Sequence, residues 1–126
     1  MNIVTFQSTL KIVLNNGISD SLHNDHFRGK EFINKQLDNY IDKVLIEMNS
    51  KIPGKNIHNV NYFYDNKLKI TFKADKELTK EDKEKMKITW RSWLEYIDML
   101  ILRNDKFHEK NGDDYLLMVY SDAIEV

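Results

Sequence analysis

No cysteine occurs in the chain. That excludes a disulfide framework, a thiolate nucleophile and any cysteine-bearing zinc site, and it fits a reducing compartment without requiring one. Proline occurs once and glycine four times, and they form no linker, low-complexity segment or Gly-rich phosphate loop. No apolar run reaches the ~18 residues a membrane span needs. The N-terminal stretch from Met1 lacks the basic start and apolar core of a secretory signal, so the expected location is cytoplasmic. Net charge is missing too, since 19 Lys and Arg against 20 Asp and Glu leave −1. Such a chain lacks the general attraction to polyanions behind nonspecific nucleic-acid binding, and only a local basic face could supply it.

What is present reads as an ordinary globular chain, 41% hydrophobic and 31% charged, long enough for one domain over residues 1–126. Its strongest signal lies at residues 78–103. Thr79 and Asp82 stand at the positions of a capping box, Glu81, Asp82 and Glu84 complement the helix dipole, and Arg103 closes the far end. Met86, Trp90, Trp93, Leu94, Ile97, Leu100 and Ile101 follow at three- and four-residue steps, one apolar stripe that carries both tryptophans.

A second amphipathic helix is expected at residues 30–50. Ile33, Leu37, Tyr40, Ile41, Val44, Leu45 and Met48 form its buried stripe; Lys35, Asp38, Asn39, Asp42 and Lys43 face water, and Pro53-Gly54 ends it. Residues 2–14 put Val4, Phe6, Leu10, Ile12 and Leu14 on one parity, with Ser8 as the gap, and read as a strand. Helical spacing of Ile3, Phe6, Leu10, Val13 and Leu14 competes, and abundant β-branched residues favour the strand. Residues 59–74 read as a hairpin. A three-residue loop, Asp65-Asn66-Lys67, unites the apolar faces by pairing Tyr64 with Leu68, Tyr62 with Ile70 and Val60 with Phe72. Residues 115–120 suit a buried central strand, residues 18–29 and 104–114 polar connections, and residues 121–126 a frayed end.

The order strand, helix, strand, strand, helix, strand gives an α+β two-layer sandwich. An antiparallel sheet of about four strands carries both helices on one face, with ferredoxin-like βαββαβ topology as the first expectation. The other face would show Thr5, Gln7, Thr9, Lys11, Asn61, Phe63, Lys69, Thr71 and Lys73.

Three constellations could carry function. Asp20, His23, Asp25 and His26 supply ligand types for zinc, nickel or iron, or a His–Asp acid–base pair for a small hydrolase. The loop spacing matches no strong metal signature, so a solvated loop is the plainer reading, and no metal or cofactor is expected. His58 and His108 stand alone in sequence. No nucleophile elbow, HExxH or P-loop lysine occurs, which argues against an enzyme. The open sheet face offers lysines with Phe63, yet sheet-based RNA recognition uses several stacking aromatics, so these lysines read first as the wet side of a strand.

The third constellation is the outer side of the long helix. Its first half is charged, but Tyr96, Met99 and Leu102 are too apolar for water. Either residues 104–114 wrap it, or it meets another chain, as a homodimer or a heteromeric contact. The functional expectation is a small protein-binding module, of the inhibitor or immunity type that neutralises a partner such as a toxin. Glu95, Tyr96, Met99, Leu102, Asp113 and Asp114 would form its contact surface.

Overall fold

Thr79 caps the long helix as its sequence implies. The Asp82 amide donates to Thr79 Oγ1 at 3.0 Å, and Asp82 Oδ2 accepts from the Thr79 amide at 2.9 Å. The computed structural model describes residues 2–14, 22–65, 67–102 and 116–126, and within these only the backbone of residues 13, 14, 22–29, 102 and 116. The elements are β1 (Ile3–Leu14), α1 (Leu22–Lys51), β2 (His58–Asp65), β3 (Lys67–Lys73), α2 (Lys80–Leu102), β4 (Leu116–Tyr120) and β5 (Ile124–Glu125). Arg103, the expected closing residue of α2, lies outside the described residues.

β1 is a strand, and the sheet is ordered β2-β3-β1-β4 with every pairing antiparallel. Both helices cover one face, so the architecture is the two-layer α+β sandwich with ferredoxin-like strand order. Val4, Phe6, Leu10 and Ile12 of β1 and Leu68, Ile70 and Phe72 of β3 are buried against Ile33, Leu37, Val44 and Met48 of α1 and Met86, Trp90, Leu94, Ile97 and Ile101 of α2. Burying side chains of this size stabilises by about 1.5–3 kcal/mol each, which is what fixes the face each helix turns inward. Trp90 lies edge-on to Phe72, and Phe72 is tilted against Phe6, so one aromatic line joins α2 to the central strands.

Four expectations are corrected. The polar connection at residues 18–29 is helical from Leu22 onward; a single Gly29 costs a helix interior only about 1 kcal/mol and does not end it. The hairpin pairs Tyr64 with Leu68 and Tyr62 with Ile70 as expected, but Phe72 faces Asn59, not Val60. Val60 is taken up by a bulge, and the Asn59 side-chain amide spans it by donating to the carbonyls of Asn61 and Thr71.

β4 is an edge strand, because β1 already has β3 on its other side. Met118 faces the core, while Val119 is 57% exposed. The C-terminal residues are tied down: Ser121 and Val126 donate their amides to the carbonyls of Thr9 and Thr5, β5 pairs with β1, and Ala123 is fully buried.

Asn56, at φ 53°, and Gly54, at φ 85°, turn the chain after α1. Asn49 then clamps the turn by bonding both the amide and the carbonyl of Ile57. Ser8, the gap in the β1 pattern, is buried, and its hydroxyl has no hydrogen-bond partner among the described residues.

Candidate functional site

Two helices lying side by side on a sheet leave a seam on their outer surface, and the residues bordering each buried stripe line it. Here the border residues are Tyr40 from α1 and Trp93 and Tyr96 from α2, all half-buried. Their ring centroids stand 5.6 Å (Tyr40–Trp93), 5.4 Å (Tyr40–Tyr96) and 5.7 Å (Trp93–Tyr96) apart, the latter two contacts being edge-to-face. With Lys43, Glu47 and Ser92 they line a groove of about 270 Å³, open to solvent.

The groove's polar atoms are organised. The Trp93 indole donates to Glu47 Oε2 at 2.7 Å, and Lys51 holds the other oxygen at 3.3 Å, so Glu47 is fixed from both sides. The Lys43 ammonium stands 5.4 Å from the Tyr40 ring centroid, within cation–π range. Hydrogen bonding with Tyr96, with desolvation second, pushes the Tyr40 phenol above its ordinary value. Just below, Leu37, Ile41, Val44, Trp90 and Ile97 close the seam into the core.

The residues expected to form one contact surface do not all converge. Tyr96 joins the groove, which answers what covers it: Tyr40 of α1. Met99 is 37% exposed, one turn further along α2. Glu95 lies on the opposite flank of α2, in a separate cleft of about 320 Å³ with Arg91, Leu94, Tyr120, Ser121, Asp122 and Ala123. In that cleft Arg91 pairs with Asp122 at 2.8 Å. Burial, followed by the charges of Asp98, Glu95 and Asp122, raises the Tyr120 phenol above its usual range. Glu95 and Tyr96 therefore serve different surfaces, as neighbours about 100° apart on a helix must.

The side chain of Leu102 and all of Asp113, Asp114, Asp20 and His108 lie outside the described residues. His23, Asp25 and His26 fall on the helical backbone of α1, not in a loop, with their side chains also outside. Among the described residues no group of three or more His, Asp or Glu could hold a metal ion, and no helix is long and apolar enough to cross a membrane.

In the sequence Tyr40 and Trp93 fit the buried stripes, and nothing local distinguishes Glu47. The available signal was chemical: a Tyr or Trp in a core stripe needs a partner for its polar atom, and so tends to sit at the wet border.

No protein-family model matches the chain, and no curated protein does. Among solved structures, the chain is similar to the solution NMR structure of a de novo designed protein with ferredoxin fold, at 19% identity and a TM-score of 0.39, covering 95% of this chain and 85% of that one.

Proposed function

We propose that the chain is a small cytoplasmic protein-binding module and that the α1–α2 groove is its anchor site. The observation that carries this reading is the cluster of Tyr40, Trp93 and Tyr96, solvent-accessible at the helix seam, with Met99 exposed beside it. Trp, Tyr and Met are enriched in interface cores, where a rigid ring gives contact area at low entropic cost. The volume separates a partner's side chain from a free ligand. Small-molecule pockets span about 300–1,000 Å³ and enclose their ligand, whereas this groove is smaller, open and sized for one large apolar or aromatic side chain. Glu47 and Lys43 frame it with both charges, which suits a partner rim that is polar and mixed.

Within protein binding, an inhibitor of the immunity type, acting by occlusion of a toxin or similar effector, is the specific form we favour. Its support is the chain's size, its near-neutral charge and the lack of any catalytic motif. The test is affinity purification from the cells that naturally make the chain, with wild type beside Trp93→Ala and Tyr96→Ala. A protein retained by wild type and lost from both variants, each still folded, is the expected result. Identical retained proteins for all three would remove the groove from the mechanism. Sedimentation of the purified chain separates a second copy from a different partner.

A further inference from the structure

The sheet face away from the helices is a second unclaimed surface, and its residues stand in rows across the strands. The rows read His58–Lys73–Ile3, Asn61–Thr71–Thr5, Phe63–Lys69–Gln7–Ile124 and Asp65–Lys67–Thr9, with Lys11–Val119 beyond. Two rows begin with a ring on the edge strand β2 and put an ammonium group directly beside it on β3.

The bulge makes this repeat. His58 and Phe63 are an odd number of positions apart, which in a regular strand sends side chains to opposite faces. Val60 takes up the odd residue, and both rings then face the same way. Read without the bulge, the sequence shows one aromatic on this face; the structure shows two rings that can stack on a base.

The face is also predominantly basic. Lys11, Lys67, Lys69 and Lys73 are exposed and form no ion pair among the described residues, while the chain as a whole carries −1. Among the described residues the face carries one carboxylate, Asp65, which sits at the hairpin end 3.7 Å from Lys30. Same-face positions on β3 repeat about every 6.8 Å, so Lys67 and Lys69 stand one repeat apart and Lys69 and Lys73, with Thr71 between them, two, spacings that an extended polyanion can follow. Phe63 is 63% exposed, in the middle of the array.

We propose that this face binds single-stranded nucleic acid. Bases stack on Phe63 and His58, and Lys69, Lys73, Lys67 and Lys11 neutralise backbone phosphates. A second copy laid face to face would set these ammonium groups against one another. An acidic protein would use the lysines but gives no role to the ring beside each. Duplex is disfavoured because its bases are already stacked within it.

The test is fluorescence anisotropy with a labelled oligouridylate of about 20 nucleotides, at roughly 20 mM and 150 mM salt. Binding that weakens with salt is expected. Phe63→Ala should weaken it about tenfold, the scale of one lost stack. Lys69→Glu and Lys73→Glu should each weaken it roughly tenfold or more, and Lys35→Glu, on the exposed side of α1, should not. Oligodeoxythymidylate should bind comparably, since neither contact reads the 2′-hydroxyl. No binding at low salt, unchanged affinity in Phe63→Ala, equal loss in Lys35→Glu, preference for duplex, or displacement by polyglutamate as readily as by unlabelled oligouridylate would each overturn the proposal. All substituted residues are exposed, so circular dichroism should show the fold unchanged.

Discussion

The indole N–H of Trp93 donates to Glu47 Oε2 at 2.7 Å across the seam between α1 and α2. This one bond fixes the groove's wall, because it sets how far the indole can turn toward solvent. Glu47→Ala should cost about 1 kcal/mol, below the usual value of about 1.5–3 kcal/mol for a charged acceptor because the site is partly wet. Glu47→Gln keeps an acceptor and should recover most of that. Urea denaturation measures both, and equal losses in the two variants would assign the effect to the carboxylate's charge and its pairing with Lys51 instead.

Ser8 should behave in the opposite way. Its hydroxyl is buried on the core face of β1 without a partner among the described residues, so its desolvation is uncompensated. Ser8→Ala should raise stability by about 1 kcal/mol, read as a higher urea midpoint with an unchanged slope. A destabilised variant would mean the hydroxyl is satisfied after all.

Two aspartates on α2 give opposing pH dependence. Hydrogen bonds from Thr79, chiefly its backbone amide, and the nearby Lys55 ammonium outweigh desolvation and hold the Asp82 carboxyl below its usual range. A lowered folded pKa contributes stability above the unfolded value, near 3.9, that is lost as pH falls through the folded value. Burial raises Asp98, so its charged form costs stability at neutral pH, and the penalty is relieved on acidification. Asp82→Asn should therefore destabilise at pH 7 and converge with wild type in acid. Asp98→Asn should stabilise at pH 7 and lose its advantage in acid. Thermal unfolding across that range checks both signs.

The C-terminal segment should be protected, not frayed. Ser121 and Val126 donate their amides into β1, and Ala123 is buried beneath them. Hydrogen exchange at these amides should be slowed well beyond a free chain end, and Ala123→Asp should cost several kcal/mol by placing a charge in the core. Exchange at the rate of an unstructured peptide would contradict the β5 pairing.

Periodicity carried most of the fold. The Thr79–Asp82 box, both helix stripes, the Tyr64–Leu68 and Tyr62–Ile70 pairs and the open face at Phe63, Lys69 and Lys73 follow from spacing alone, because side-chain direction repeats with the backbone. What spacing could not carry was any break in that repeat. The bulge at Val60 moved His58 to the open face, and Met118 and Val119 read alike until the pairing of β4 with β1 set Met118 on the helix-covered face and Val119 on the open one. The groove failed for a related reason: Tyr40 and Trp93 fit their stripes, and only the relative placement of two helices shows that the stripes' borders meet. Sequence neighbours such as Glu95 and Tyr96 look like one patch on paper, yet they face different clefts.

In the proposed complex a partner's side chain packs into the groove lined by Tyr40, Trp93 and Tyr96. Trp90 is 1% exposed, whereas Trp93 is only half-buried, so iodide quenching of tryptophan fluorescence reports the groove almost alone. The decisive measurement is that quenching with and without the co-purified partner. Loss of the accessible component on complex formation, with weakened binding by Tyr96→Ala, is the result expected. A stable complex in which Trp93 stays as quenchable as in the free chain would contradict it.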